Sequence, residues 1–234
     1  GYTTVPALDT WQLSDNAAYV HVCINETIGG VEFPFTPEVS APLVADMSST
    51  LLSRPLPVDR FGLIYAGAQK NIGPAGLTIV IVHKDLVGHA RAGTPSVMDF
   101  KNMADAESML NTPPTFSWYI AGLVFAWLRA QGGLSVVADN NRAKATALYA
   151  AIDGSGFYSN PVAKNDRSWM NIPFVLAEPQ LDSEFLAQAA AEGLTNLKGH
   201  RSVGGMRASI YNAMPREGVD QLIAFMAAFE ARHG

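Results

Sequence analysis

Phe61-Gly62-Leu63-Ile64-Tyr65-Ala66-Gly67-Ala68-Gln69-Lys70, followed at once by Asn71-Ile72-Gly73-Pro74-Ala75-Gly76, is the stretch on which the reading of this chain turns. Leu63 to Ala66 is an unbroken apolar and aromatic run of strand length, and the Gly/Pro cluster after it marks a turn. Lys70 therefore ends a buried strand rather than sitting on a polar face. An amine held partly out of water loses some of its preference for the charged form and becomes a nucleophile toward carbonyl groups.

Two further runs read the same way. Tyr19-Val20-His21-Val22-Cys23 leads to Asn25-Glu26-Thr27, and Pro42-Leu43-Val44-Ala45 ends at Asp46. Continuous apolar runs predict a mostly parallel sheet covered on both faces, and the intervening stretches are long enough for crossovers. The run 77–82 follows its turn too closely for a crossover, so it is expected to return antiparallel at an edge. The strongest helix signal is 115–131, with Pro113-Pro114 before it, Thr115 as cap and Gly132-Gly133 after it. Trp118, Ile120, Leu123, Val124, Trp127 and Leu128 leave that helix little polar face, which predicts a buried or interfacial position.

From about residue 140 helices and strands alternate. Helices are expected at 141–152, 182–192 and 219–232, and strands at 169–175 and 206–211. The fold class is thus α/β, with residues 1–139 belonging to a larger domain and 140–234 forming a small C-terminal α/β domain. His21, inside an apolar strand, reads as a satisfied core histidine, and Arg54 beside Pro55 reads as structural.

The bulk composition narrows the function. In 234 residues, 48% are hydrophobic and 16% charged, enough to bury a substantial core. A net charge of −5 with no basic run argues against a nucleic-acid binder and points to small molecules or protein subunits as partners. Cys23 is the only cysteine. It permits no intramolecular disulfide and no Cys-rich metal site, and it suits a reducing cytoplasm. The aliphatic runs are too short to span a bilayer, no basic start precedes an apolar signal region, and no metal is expected. G-x-G-x-x-G, Walker, G-x-S-x-G and H-E-x-x-H patterns do not occur. Because the chain opens Gly1-Tyr2-Thr3-Thr4 with no methionine, it is read as the later part of a longer protein.

Asp46 and Lys70 each end a predicted strand, and Thr27 lies just past another. Open α/β sheets place ligands along that edge. One strand and one crossover separate Asp46 from Lys70, so neighbouring strands can aim a carboxylate and an amine into one crevice. Pyridoxal phosphate uses that pair: the amine holds the aldehyde, and the carboxylate keeps the pyridine nitrogen protonated. Spacing alone leaves a plainer reading open, in which Asp46 caps the turn at Ser48-Ser49-Thr50 and Lys70 snorkels at a loop.

The residues around the pair carry a resemblance over nearly the whole chain. Tyr19 to Thr27, Ala45-Asp46-Met47-Ser48-Ser49-Thr50 and Tyr65 to Gly76 are three of the stretches. Asn111-Thr112-Pro113-Pro114-Thr115 and Lys198-Gly199-His200-Arg201-Ser202-Val203-Gly204-Gly205-Met206-Arg207 complete the set. Together they resemble the phosphoserine aminotransferase family, within the fold type I pyridoxal phosphate enzymes.

That resemblance implies an amino transfer between glutamate and 3-phosphohydroxypyruvate, giving phosphoserine and 2-oxoglutarate for serine biosynthesis, with a pyridoxine-pathway substrate as a further candidate. It implies Lys70 as the Schiff-base lysine, Asp46 as pyridinium partner, Thr27 at the ring oxygen and Gln69 near the cofactor phosphate. Asn111 and Thr112 are implied to reach the phosphate of the other subunit, which makes a homodimer with shared active sites the expected assembly. Arg207 is implied to hold the α-carboxylate, and His200 and Arg201 the phosphate or distal carboxylate, groups that guanidinium forks bind well. The family's phosphate-cradling turn, ring-stacking aromatic residue and early substrate arginine are implied to precede Tyr2. The alternative expectation is therefore a truncated, catalytically silent fragment that folds or dimerises without a competent cofactor site.

Overall fold

The computed structural model describes residues 2–234; Gly1, the first residue of the expected larger domain, lies outside the described residues. Strands β1 (Val20–Cys23), β2 (Leu43–Asp46) and β3 (Leu63–Gly67) pair in parallel, and β4 (Thr78–Val82) runs antiparallel to β3 at the edge. The strand directions, the edge position of β4 and the adjacency of β2 and β3 match the expectation. The register sets Cys23, Asp46 and Tyr65 side by side, so the C-terminal ends of the three parallel strands form one line.

One face of this sheet is core. Val20, Val22, Leu43, Ala45, Ile64 and Ala66 are buried together with Met47, Phe61 and Ile72. The other face alternates out of it: His21 and Cys23 are exposed, and Val44, Asp46 and Tyr65 are half-buried. The expected cover on both faces is thus corrected, because the side chains of this chain pack against one face alone. His21 is corrected with it. Its ring stacks on Tyr65 at 5.9 Å, and Nε2 lies 3.0 Å from the phenol oxygen on the exposed side.

Helix α1 (Phe100–Asp105), unexpected from sequence, is capped by Asp99, whose carboxylate accepts the Lys101 N–H at 2.9 Å. Helix α2 (Thr115–Ala130) falls where expected, but Pro114 takes the cap position and Thr115 is its first residue. The Thr115 hydroxyl donates instead to the Pro113 carbonyl at 3.2 Å. Of the two positions expected for α2, burial within this chain does not hold: only Ser117, Ala121 and Leu128 are buried. Gly132 and Gly133, at φ 100° and 81°, turn the chain directly into α3 (Leu134–Asp153). Helix α3 starts earlier than expected, at Leu134 rather than Asn141, whose buried amide donates to Ser53 O and Asn212 Oδ1 at 3.0 and 2.8 Å.

The second sheet is antiparallel in the order β5 (Tyr158–Ser159), β6 (Asn171–Leu176), β7 (Met206–Ser209). Helices α3, α4 (Asp182–Ala191) and α5 (Arg216–His233) bury its apolar side chains. Phe185 lies at the centre, edge-on to Tyr158, Phe174, Phe225 and Phe229 with ring centroids 5.0–6.1 Å apart. Glu32 joins the two sheets. Its buried carboxylate accepts from Thr50 Oγ1 at 2.8 Å and Trp169 N at 3.0 Å and pairs with Arg54. The Arg54 guanidinium also covers the Trp169 ring at 4.1 Å, so Arg54 is structural as expected.

Candidate active site

Past β3 the chain folds into one tight turn, with Ile72 N and Gly73 N both donating to Ala68 O at 3.1 and 2.8 Å. That turn buries Ala68, Asn71 and Ile72, exposes Gln69 and leaves Lys70 half-buried. Lys70 Nζ donates to Thr27 Oγ1 at 2.6 Å. Burial lowers the Lys70 pKa and the nearby Arg207 cation adds to that, while Asp46 and Cys23 oppose it.

Thr27 owes its position to a tight turn after β1, closed by a Gly30 N bond to Glu26 O at 3.0 Å. Asp46 is held by the turn after β2: its Oδ1 accepts the Ser48 N–H at 2.8 Å. The Ser48 hydroxyl in turn accepts the Gly67 N–H at 3.0 Å, tying the ends of β2 and β3 together. Arg207 reaches over from β7. One guanidinium nitrogen donates to Thr27 O at 3.3 Å, while Nε is buried without a partner. An amine, a hydroxyl, a carboxylate and a guanidinium with donor capacity to spare thus meet at one sheet edge.

Three neighbours were not singled out from sequence as site residues. Although Cys23 is exposed at the residue level, its thiol is pushed up to about 11 by local desolvation, then by Asp46 and Glu26, which keeps it protonated. Tyr65 is raised by burial and then by Asp46, and His21 stacks on it. The signal was present: aligning the strand ends at Asp46 brings Cys23 and Tyr65 to its flanks.

The remaining expected residues stand apart from this group. Gln69 is the nearest, its side chain folded back over Gly67. Asn111 and Thr112 lie exposed between α1 and α2, with the Asn111 amide donating to Thr112 O at 3.0 Å. His200 and Arg201 are exposed in the turn before β7, where His200 Nδ1 lies 2.7 Å from Ser202 Oγ. That turn needs its glycines: a Cβ on Gly199 would come within 2.0 Å of the Gly204 carbonyl oxygen. Two well-formed cavities lie elsewhere, one of about 290 Å³ between Ile24, Phe33 and Phe61 and one of about 460 Å³ beside Lys144 and Asn212. Neither includes Lys70, which faces the open side of the sheet.

The chain belongs to the class-V aminotransferase family, whose model matches residues 2–222. Within it, the chain is similar to the phosphoserine aminotransferase of Ectopseudomonas mendocina (strain ymp), 60% identical over 99% of this chain and 64% of that protein. The phosphoserine aminotransferase of Azotobacter vinelandii is also 60% identical, over 100% of this chain and 65% of that protein. The chain therefore spans about two-thirds of these relatives, 64–65% of their length. Among solved structures, phosphoserine aminotransferase from Bacillus circulans subsp. alkalophilus superposes with a TM-score of 0.96 at 48% identity, covering 99% of this chain and 65% of that one. The pyridoxal phosphate-bound enzyme from Trichomonas vaginalis gives 0.93 at 43%, covering 97% and 64%. The fold is accordingly the α/β fold of those enzymes, fold type I.

Proposed function

We propose that the protein carrying this chain is a pyridoxal phosphate-dependent aminotransferase that moves an amino group from glutamate to 3-phosphohydroxypyruvate, yielding phosphoserine and 2-oxoglutarate. The convergence of Lys70, Thr27, Asp46 and Arg207 is the observation that carries it, and similarity to proteins named phosphoserine aminotransferase supports the choice of substrates. The donor set fits the cofactor. A half-buried amine stands near a hydroxyl and a carboxylate, and a guanidinium nitrogen is buried with no partner among the described residues.

When bound, pyridoxal phosphate supplies an electrophilic carbonyl and a ring that accepts the electrons of a developing carbanion. Lys70 would provide the amine that holds it. The same amine would carry the proton to and from the substrate α-carbon, a task its lowered pKa favours. Asp46 would keep the pyridine nitrogen protonated, and Thr27 would hydrogen-bond the ring oxygen. Gln69 lines the phosphate region, which Asn111 and Thr112 of a second copy complete in a homodimer with shared sites. Arg207 takes the α-carboxylate, and His200 and Arg201 take the phosphate or distal carboxylate, serving whichever anionic substrate is bound.

In this reading residues 1–139 belong to the larger cofactor domain and 140–234 to the small one. The enzyme works in the cytoplasm in serine biosynthesis, with a pyridoxine-pathway substrate also accepted. No single helix among the described residues is long and apolar enough to cross a membrane. The silent-fragment reading is disfavoured by the same convergence, since the amine, its acid partner and the anion-binding arginine all meet within this chain.

Borohydride reduction of the cofactor-treated protein, followed by peptide mapping, tests the proposal alongside a phosphoserine-dependent assay for glutamate. Label on Lys70 together with glutamate formation is expected. A Lys70→Ala variant that still transaminates would overturn the mechanism, and an unlabelled, inactive 234-residue chain would favour the silent fragment.

A further inference from the structure

Arg207 and Lys70 belong to different sheets, yet they must share one substrate. We propose that two buried asparagine bridges, Asn25–Asn171 and Asn71–Asn212, are positioning elements that set Arg207 against Lys70; this rests on the functional reading above.

Three of the four side chains are almost wholly inside the protein, Asn25 at 1% exposure, Asn71 at 6% and Asn171 at 0%. In the first bridge the Asn25 amide donates to Asn171 Oδ1 at 3.1 Å and to Ser49 Oγ at 3.0 Å. The Asn171 amide then donates to Tyr211 Oη at 2.9 Å and Ser209 Oγ at 3.4 Å. In the second bridge, Asn71 Oδ1 accepts the Asn212 N–H at 3.1 Å while its amide donates to Leu51 O at 3.3 Å. Asn212 continues the tie: its amide donates to Leu52 O at 2.9 Å and its Oδ1 accepts from Asn141 at 2.8 Å.

Placement along the chain gives these bridges their meaning. Asn25 lies just before Thr27, Ser49 just after Asp46, and Asn71 directly after Lys70. On the opposite side Ser209 and Tyr211 follow Arg207 in and just beyond β7. Thr27 and Lys70 are therefore within two residues of an asparagine bonded across to the second sheet, and Asp46 is three residues from Ser49, whose hydroxyl is tied to Asn25. Apolar surfaces tolerate a small slide, because dispersion has little direction. The buried amide donors do not, because sliding would unpair them with no water to replace the lost acceptor, and Asn25 Oδ1 already lacks a partner among the described residues. The junction is thereby fixed in register where a shift would separate the carboxylate seat from the reacting amine.

The test uses the full-length protein loaded with pyridoxal phosphate, and glutarate as a carboxylate probe followed by titration calorimetry. Asn71→Ala and Asn171→Ala are each expected to weaken glutarate about ten-fold, as small misplacements of binding groups do. Reductive labelling of Lys70 should stay complete, and in an Arg207→Ala background the two changes should add little further loss. The milder Ser49→Ala and Tyr211→Phe, which remove one bridge partner each, should weaken glutarate roughly three-fold while the protein stays folded. Lower melting temperatures with glutarate affinity unchanged in all four would make the bridges merely structural and overturn the proposal. Unchanged affinity in Arg207→Ala alone would instead remove the Arg207 assignment, and the positioning proposal would fall with it.

Discussion

The antiparallel sheet of β5, β6 and β7 is sealed by its own helices, whereas the parallel sheet of β1, β2 and β3 keeps one face half open. In the first, Phe174, Phe185, Met206 and Phe229 have no measurable exposure. In the second, the strands alternate between buried Val20, Ala45 and Ile64 and the accessible His21, Asp46 and Tyr65. The closed region invests its residues in packing, and the open one places its titratable groups where a ligand can reach them. Stability and chemistry should therefore separate on mutation. The largest test lies on the open side. Lys70→Ala in the full-length protein should cut turnover by at least about 10⁴-fold, since under the proposed function it removes both nucleophile and proton carrier. The unfolding midpoint in urea should barely move. A large loss of stability would break the contrast.

The converse change lies at the centre of the closed sheet. Phe185→Ala deletes a ring that meets four others, and losses of about 3–5 kcal/mol are usual for such cavities. Urea unfolding followed by far-UV circular dichroism measures it. Below the unfolding transition, reductive labelling of Lys70 should persist. A loss of labelling with the fold intact would mean that the aromatic core reaches into the site and would break the contrast between the two regions.

The difference between the two regions also explains what could be read from sequence. Strand direction, the antiparallel return of β4 and the placement of Asp46 and Lys70 at neighbouring strand ends were legible, because apolar runs, turn residues and strand ends are local signals. The site residues beyond them came from resemblance rather than spacing. Cover on the second face was not legible, since Leu43-Val44-Ala45 looks alike whether one side or both are packed. Asn141 shows the same limit. A polar residue inside a helix can cap, face water or, as here, anchor a distant turn, and only its tertiary partners decide. Two-residue β5 and the six-residue α1 are too short to carry a periodicity at all.

Lys144, in α3, tests the junction by pH. It is buried, and its amine donates to the carbonyls of Ile210, Tyr211 and Met214 at 3.2, 2.8 and 2.9 Å. Burial pushes its pKa down to about 8 from the ordinary lysine value of 10.5. A folded-state pKa below the unfolded one means that the unfolded chain binds more protons between those values. Stability therefore rises as pH increases through that window, by no more than about 1.4 kcal/mol per pH unit for one group. Below about 8 the amine is charged in both states and its contribution is flat. Denaturation at pH 7, 8.5 and 10, with Lys144→Met as the flat control, measures the slope; equal slopes in both proteins would remove the assignment.

The smallest effect on stability should come from the most conspicuous apolar residues. Along α2, Phe116, Trp118 and Tyr119 are 71%, 56% and 63% exposed, so removing one of them takes little packing from this chain. Trp118→Glu should change the unfolding free energy by less than about 0.5 kcal/mol, as surface substitutions do. Its consequence should instead appear between molecules. An aromatic face of this kind carries a large burial energy in an interface and almost none in water. If α2 packs against a second copy, a buried glutamate there lacks a partner, and sedimentation should shift toward the monomer while the fold persists. A variant that unfolds without changing its association would show that α2 draws its stability from its own chain, and would erase the distinction between the closed and open halves.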